Sequence, residues 1–376
     1  MVSTNQVHRD LFALKRAYAA LRPPAQIKFP GYLCFSTAHD FLLRSILLDP
    51  HLQRYPPSRL YQTVFWKWAI AHLEGFDELK QNQDLEIDSQ IFDHYTSLII
   101  PLSPVAPDLH TGPQPPSQSF LTHYWCTNHG DVGQCEAKSD DIDTSQYRLV
   151  TVMESRTTIE RGTTGLRTWL ASFVLAHYLT LNPGLVIGKR VLELGSGTGF
   201  LGIVIAAIQG SSPGALWLTD VEESVLNRCR ENVQLQCKPS SSNTNIRYML
   251  LDWFDAIDPS RRTRVEEFEN STQPDIILGA DLVFDCSLLA PLVATLELLL
   301  EPSSHRIAII ALTVRNEDTL AKFHESASNK LCVEELECDW HSAPSFEIWE
   351  DGTDVNKGVK IYKIYGTKVS AEDHVA

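Results

Sequence analysis

The chain has 376 residues, 43% apolar and 21% charged; at ~150 residues per domain it suggests about two domains with ordinary cores and excludes fibrous and wholly disordered classes. Lys and Arg total 32 against 47 Asp and Glu, a net charge of −15, which argues against a generic nucleic-acid binder because phosphate must be neutralised by basic surface. Eight cysteines show no framework spacing, and the start Met1-Val2-Ser3-Thr4 has no apolar run behind a basic patch, so a reducing, cytoplasmic setting without a leader is expected.

Residues 11–100 read as helical. Phe41, Leu42, Ile46 and Leu47 suggest a helix ending at Asp49-Pro50, because the residue before proline avoids the helical region. Ser58 is the expected cap of a helix whose face carries Tyr61, Val64, Phe65, Trp68 and His72, read here as a packing stripe. From 101 to 145 the prolines at 101, 104, 107, 113, 115 and 116 mark a connector. The expected division is therefore a helical domain over 1–110, a Pro-rich linker over 111–145 and a second domain over 146–376. His123, Cys126, His129 and Cys135 have near-metal spacing but match no common zinc pattern, so no metal site is expected.

After Tyr147 the pattern alternates. Strands are predicted over 148–153 and 157–160, then a helix over 166–179. Further strands are predicted over 190–194, 215–219, 246–251, 275–279 and 307–312, with helices over 200–208, 222–235, 288–300 and 318–326. Strands over 332–338 and 359–365 close the chain, as an antiparallel hairpin at one edge. Continuous apolar runs such as Ile276-Ile277-Leu278 indicate a sheet buried on both faces, hence a doubly wound α/β domain. Residues 170–181 are too few for a membrane span, and 282–300 carry Asp285 and Glu297, so none is expected.

The informative segment is Glu193-Leu194-Gly195-Ser196-Gly197-Thr198-Gly199, placed where the strand over 190–194 turns into a helix. A dinucleotide fingerprint wants glycine at its sixth position, where Phe200 stands, and a phosphate loop wants a lysine that is missing. A ligand without phosphates, bearing an amino acid and a ribose, fits better: S-adenosylmethionine. Glu193, Gly195, Ser196 and Gly197 would cradle it. Asp220, ending the second strand, would accept from its ribose hydroxyls; Asp252 and Trp253, ending the third, would meet the adenine amino group and ring. Gly279 to Phe284 end the fourth, with Ala280 beside the ligand.

These residues resemble the seven-β-strand protein-lysine methyltransferases over roughly residues 147–366. Gly162-Thr163-Thr164-Gly165-Leu166-Arg167-Thr168-Trp169 is similar to the segment before that branch's first core strand, which implies that Trp169 lines the cofactor site. Asp281-Leu282-Val283-Phe284 resembles its acid-x-x-aromatic signature, with Phe284 where many relatives carry Tyr. The stretches 41–48 and 61–74, together with Thr313-Val314-Arg315-Asn316, resemble the elongation factor 2 lysine methyltransferase family. The resemblance implies an α/β fold with a seven-stranded doubly wound, Rossmann-like methyltransferase sheet and a helical N-terminal domain for docking. It also implies a protein substrate, a lysine of translation elongation factor 2. Asp281 is expected to hold and orient the lysine head, and Phe284 to wall its channel. The rival readings are a methyltransferase of another protein, of RNA or of a small molecule, and a cofactor-binding scaffold without catalysis.

Overall fold

The computed structural model describes residues 3–82, 84–100, 118–126, 147–160, 162–235, 245–300, 305–341, 345–348 and 358–366. His129 and Cys135 of the metal-spaced group, and residues 111–117 and 127–145 of the expected linker, lie outside these. The chain divides into two compact units, Met1–Thr158 and Ile159–Ala376.

The first unit holds the helices α1 (Thr4–Ala19), α2 (Phe35–Asp40), α3 (Pro50–Arg54), α4 (Arg59–Glu74), α5 (Asp77–Gln81) and α6 (Ser89–Ile99), with a π-helical turn, Phe41–Leu47, following α2. Side-chain caps start four of them: Ser3 on α1, Asp49 on α3, Ser58 on α4 and Asp88 on α6. Each accepts an otherwise unsatisfied N–H of the first turn. Leu42, Phe65, Trp66, Leu73 and Ile91 are fully buried together. The stripe on α4 differs from the expected one. Val64 is exposed, and the buried row is Gln62, Phe65, Trp66, Ala69, Ile70 and Leu73. Gln62 tolerates burial because its Nε2 donates to the carbonyl of Pro57. Trp68 packs on His72 and Phe29, as a packing residue should.

A two-stranded ribbon completes this unit. β1 (Ser119–Trp125) lies in the stretch expected as linker and pairs antiparallel with β2 (Arg148–Glu154), from Ser119↔Glu154 to Trp125↔Arg148. That pairing ties β2 to the first unit and puts the junction of the units after Thr158.

The second unit is a seven-stranded sheet in the order β5-β4-β3-β6-β7-β9-β8. Its strands are β3 (Arg190–Leu194), β4 (Ala215–Asp220), β5 (Asn245–Leu250), β6 (Ile276–Ala280), β7 (Ile307–Thr313), β8 (Leu331–Leu336) and β9 (Val359–Gly366). All neighbours through β7 are parallel; β9 runs antiparallel to both β7 and β8. The helices are α7 (Leu170–Leu181), α8 (Phe200–Gln209), α9 (Glu223–Gln234), α10 (Arg262–Thr272), α11 (Leu289–Leu299) and α12 (Glu317–Ser328). Ile277, Leu278, Ile309 and Ile310 are buried to 1% exposure or less, which is why their strands lack polar alternation. The outer strand β8 carries Glu334 and Glu335, paired with Lys363 and Lys360 of β9, a charged edge that discourages pairing with another chain.

Two expectations change here. Residues 157–160 do not form a strand: Glu160 makes only an isolated bridge to Thr163 around Gly162, whose φ is +82°. Helix α7 starts at Leu170, not 166, because residues 162–169 are drawn across the turn after β3. From β3 the chain winds outward to β5 and then returns to β6 on the other side. The C-terminal ends of β3 and β6 therefore flank the crevice where open α/β sheets bind ligands.

Candidate active site

The turn from β3 into α8 is built from three left-handed glycines, Gly195, Gly197 and Gly199, with φ of +60°, +53° and +83°. Ser196 holds it to β4 from both sides: its N–H donates to the carbonyl of Thr219 at 2.7 Å, and its hydroxyl accepts from the N–H of Thr219 at 3.0 Å. The segment before α7 lies over the turn. A Cβ on Gly197 would come within 3.2 Å of the Gly165 carbonyl oxygen, and the hydroxyls of Thr168 and Thr198 are 2.8 Å apart. Under Gly199 sits Cys229 of α9, whose thiol burial pushes well above its ordinary range and makes inert. A Cβ on Gly199 would stand 2.7 Å from that Sγ. Gly199→Ala should therefore destabilise the protein by about 3 kcal/mol, from left-handed strain plus overpacking, read as a lower midpoint of urea unfolding.

Glu193 is 3% exposed, and its Oε2 has no hydrogen-bond partner among the described residues. Burial pushes its carboxyl up to about 8, with Asp220 adding to the rise and the Ser196 hydroxyl opposing it. Asp220 ends β4, accepting from the N–H of Gly197 at 3.2 Å and of Glu222 at 3.3 Å; burial raises its pKa against those bonds. Asp252 caps the short helical turn Trp253–Ala256 through the N–H of Phe254 at 2.9 Å, and its other oxygen is 4.0 Å from Arg261. Trp253 packs on the core beside the turn, 3.8 Å from where a Cβ of Gly195 would be. Arg261, Arg262 and Arg264 each pair with acids of their own segment.

Ala280 ends β6 opposite Ala311 of β7, and Asp281 follows in a left-handed conformation, φ +58°. The side chain of Leu282 is buried and lies against Gly195, which joins this turn to the glycine turn. Asp281 was expected to hold the lysine head, and its carboxylate already carries four hydrogen bonds. Oδ1 accepts from the N–H of Thr313 (3.1 Å) and Nη1 of Arg315 (2.9 Å); Oδ2 accepts from the hydroxyl of Thr313 (3.0 Å) and Nη2 of Arg315 (2.8 Å). All four of its ordinary acceptor positions are in use. The guanidinium lies 4.8 Å from the ring centroid of Trp169, whose Nε1 donates to the carbonyl of Thr164 at 3.1 Å. Phe284, 58% exposed, follows the C-terminal end of β6, while the exposed Val221, Leu250 and Phe254 end or follow β4 and β5.

The structure thus gathers Trp169, Glu193, Gly195, Ser196, Gly197, Asp220, Trp253, Ala280 and Asp281 around one sheet edge, and gives Asp252 a capping task. Thr313 and Arg315 had no assigned role in the sequence reading. The available signal was a hydroxyl and a guanidinium just past the strand that neighbours the acid's own strand.

A model of the lysine methyltransferase family matches residues 153–329. The chain is similar to Protein-lysine N-methyltransferase EFM3 of Chaetomium thermophilum, 38% identical over 175 residues, which are 46% of this chain and 50% of that one. It is similar to Protein-lysine N-methyltransferase EEF2KMT of Homo sapiens, 32% identical over 184 residues, 46% of this chain and 53% of that one. The chain spans about half the length of these two curated relatives. An uncharacterized protein of Dictyostelium discoideum is 25% identical over 359 residues, 90% of this chain and 89% of that one.

Proposed function

We propose, from the match of residues 153–329 to the lysine methyltransferase model, that the chain is an S-adenosylmethionine-dependent protein-lysine N-methyltransferase acting on translation elongation factor 2 in the cytoplasm. The observation that carries the reading is the unpartnered, buried Oε2 of Glu193 beneath a turn of left-handed glycines, at the sheet's ligand-binding edge. A ligand ammonium would satisfy it, and an amino-acid-bearing nucleoside brings one.

The residues present fit such a cofactor. Glu193 would pair with its α-ammonium, Gly195, Ser196 and Gly197 would let it approach the backbone, and Asp220 would accept from its ribose. Trp253 would pack on adenine with Asp252 nearby, while Ala280 and Trp169 would close the remaining sides. Bound there, it supplies a sulfonium methyl. The lysine amine must arrive neutral, at a cost of about 4 kcal/mol near pH 7.4, which burial among apolar side chains reduces. The site's residues would hold the amine with its lone pair toward that methyl, and after transfer the amine's surplus proton would leave to water. Asp281 contributes orientation more than basicity, because a carboxylate beside an ammonium favours the charged form. Phe284, exposed at the rim, would lie along the lysine's methylenes.

The substrate rests on the resemblance of residues 41–48, 61–74 and 313–316 to the elongation factor 2 lysine methyltransferases. The helical unit would dock that partner. Purified elongation factor 2, incubated with methyl-labelled cofactor and this protein, should gain label on a lysine. No label on elongation factor 2 would overturn the substrate assignment; the same incubation with a cell lysate then separates a different protein or RNA, which would take up label, from a scaffold, which would label nothing.

A further inference from the structure

The guanidinium of Arg315 lies between an anion and an aromatic face, bidentate on Asp281 at 2.9 and 2.8 Å and 4.8 Å from the centroid of Trp169. A carboxylate facing an indole is a binding site for an organic cation. The two walls are held by the fold independently of Arg315. The N–H of Asp281 donates to the carbonyl of Ala311 at 2.8 Å, and its carboxylate accepts two bonds from Thr313. The indole is fixed through its Nε1 by Thr164, and Arg315 stands nearer its ring than the guanidinium of Arg167, which is 5.4 Å from the centroid. The occupant is the more exposed member: the Arg315 side chain is 28% exposed and the Asp281 side chain 4%. A long side chain reaches in from the solvent side to neutralise a buried anion.

Resting on the methyltransferase reading above, we propose that Arg315 is an internal stand-in for the substrate: it occupies the acceptor-lysine site, and the incoming lysine enters by displacing it. The exchange replaces one cation by another, so the buried carboxylate of Asp281 is never left unpaired, the costly state for such a group. The two bonds from Thr313 stay in place throughout, and one acceptor position on each carboxylate oxygen passes from the guanidinium to the ammonium. Arg315 competes at the high effective concentration of a tethered group and with a bidentate fork that an ammonium lacks. A free lysine or short peptide is therefore a poor competitor. A docked protein supplies the missing binding energy from contacts elsewhere, so Arg315 makes the site selective for a lysine delivered by a protein surface.

The test uses n-butylammonium chloride as the lysine mimic, followed by the NMR shift of the Trp169 indole N–H. Arg315→Ala should bind it at least tenfold more tightly than the wild type, and adding Asp281→Asn should remove the binding. In the unsubstituted protein, labelled at arginine, saturating n-butylammonium should move the Arg315 Nε–H resonance toward its solvent-exposed position; this arm stands even where the variant fails to fold. Binding by a folded Arg315→Ala that is equal to or weaker than wild type, or an Arg315 signal that n-butylammonium leaves unmoved, would make Arg315 a permanent brace and overturn the proposal. Neither readout involves methyl transfer. Calorimetry with S-adenosylmethionine on the same samples tests the methyltransferase reading separately.

Discussion

Asp281→Asn should lower the proposed methyl transfer by about a thousandfold, on the order of 4 kcal/mol in the barrier, while S-adenosylmethionine affinity stays within about threefold. Asparagine is the informative replacement. Position 281 has φ +58°, a region that Asn tolerates, whereas Ala would add about 1–2 kcal/mol of left-handed strain and confuse the result. The amide can still accept from Thr313 and fills the same space. What it loses is the charge that holds a cation against Trp169, whether that cation is Arg315 or the substrate. The variant should also be destabilised by about 2 kcal/mol, since Arg315 is left beside a neutral group but keeps some solvent. Steady-state rates with denaturation curves on the same preparation separate the two effects. A rate within tenfold of wild type would remove Asp281 from the reacting centre.

The sheet was readable because its signals are local. The strand predicted over 190–194 is β3 as found, and apolar runs with no polar alternation announced β6 and β7. The closing hairpin was also visible, but the insertion of β9 between β7 and β8 was not, because periodicity reports faces and says nothing of strand order. On α4 the aromatic pattern pointed one residue aside. Ala69 and Gln62 complete the buried row, and neither carries a strong hydrophobic signal. The strand β1 was hidden inside a proline-rich stretch, where composition outweighed the short run Phe120-Leu121-Thr122-His123-Tyr124.

At the site, the glycines and strand-end acids were legible because turn chemistry and strand position are written in adjacent residues. The pairing of Arg315 with Asp281 joins positions 34 apart across neighbouring strands. It depends on the register Ala280↔Ala311, which no local pattern contains. The protonation of Glu193 was likewise out of reach, since it follows from the depth of burial rather than from residue type.

Glu193→Gln should stabilise the ligand-free protein at alkaline pH and weaken the cofactor at the same time. The buried carboxyl is pushed up to about 8 from 4.5, burial being the main cause. Below pH 4.5 the folded and unfolded chains both hold the proton. Between 4.5 and about 8 the folded chain keeps a proton that the unfolded chain has lost, so stability falls as pH rises through that window and levels off above it. Glutamine cannot ionise and escapes this loss. At a pH near 8.5 the variant should be more stable by about 4–5 kcal/mol, and the advantage should vanish toward the acid end of the window. With cofactor the order reverses, because the carboxylate gains an ammonium partner that the amide cannot match; affinity near pH 7 should drop by about a hundredfold. At about pH 6.5, where an α-ammonium keeps its proton, wild-type binding should release about one proton more than binding by the variant. Calorimetry in two buffers of different ionisation heat measures that difference directly. Equal proton release by the two proteins, or unchanged affinity in Glu193→Gln, would mean that the buried carboxyl of Glu193 does not face the ligand's ammonium.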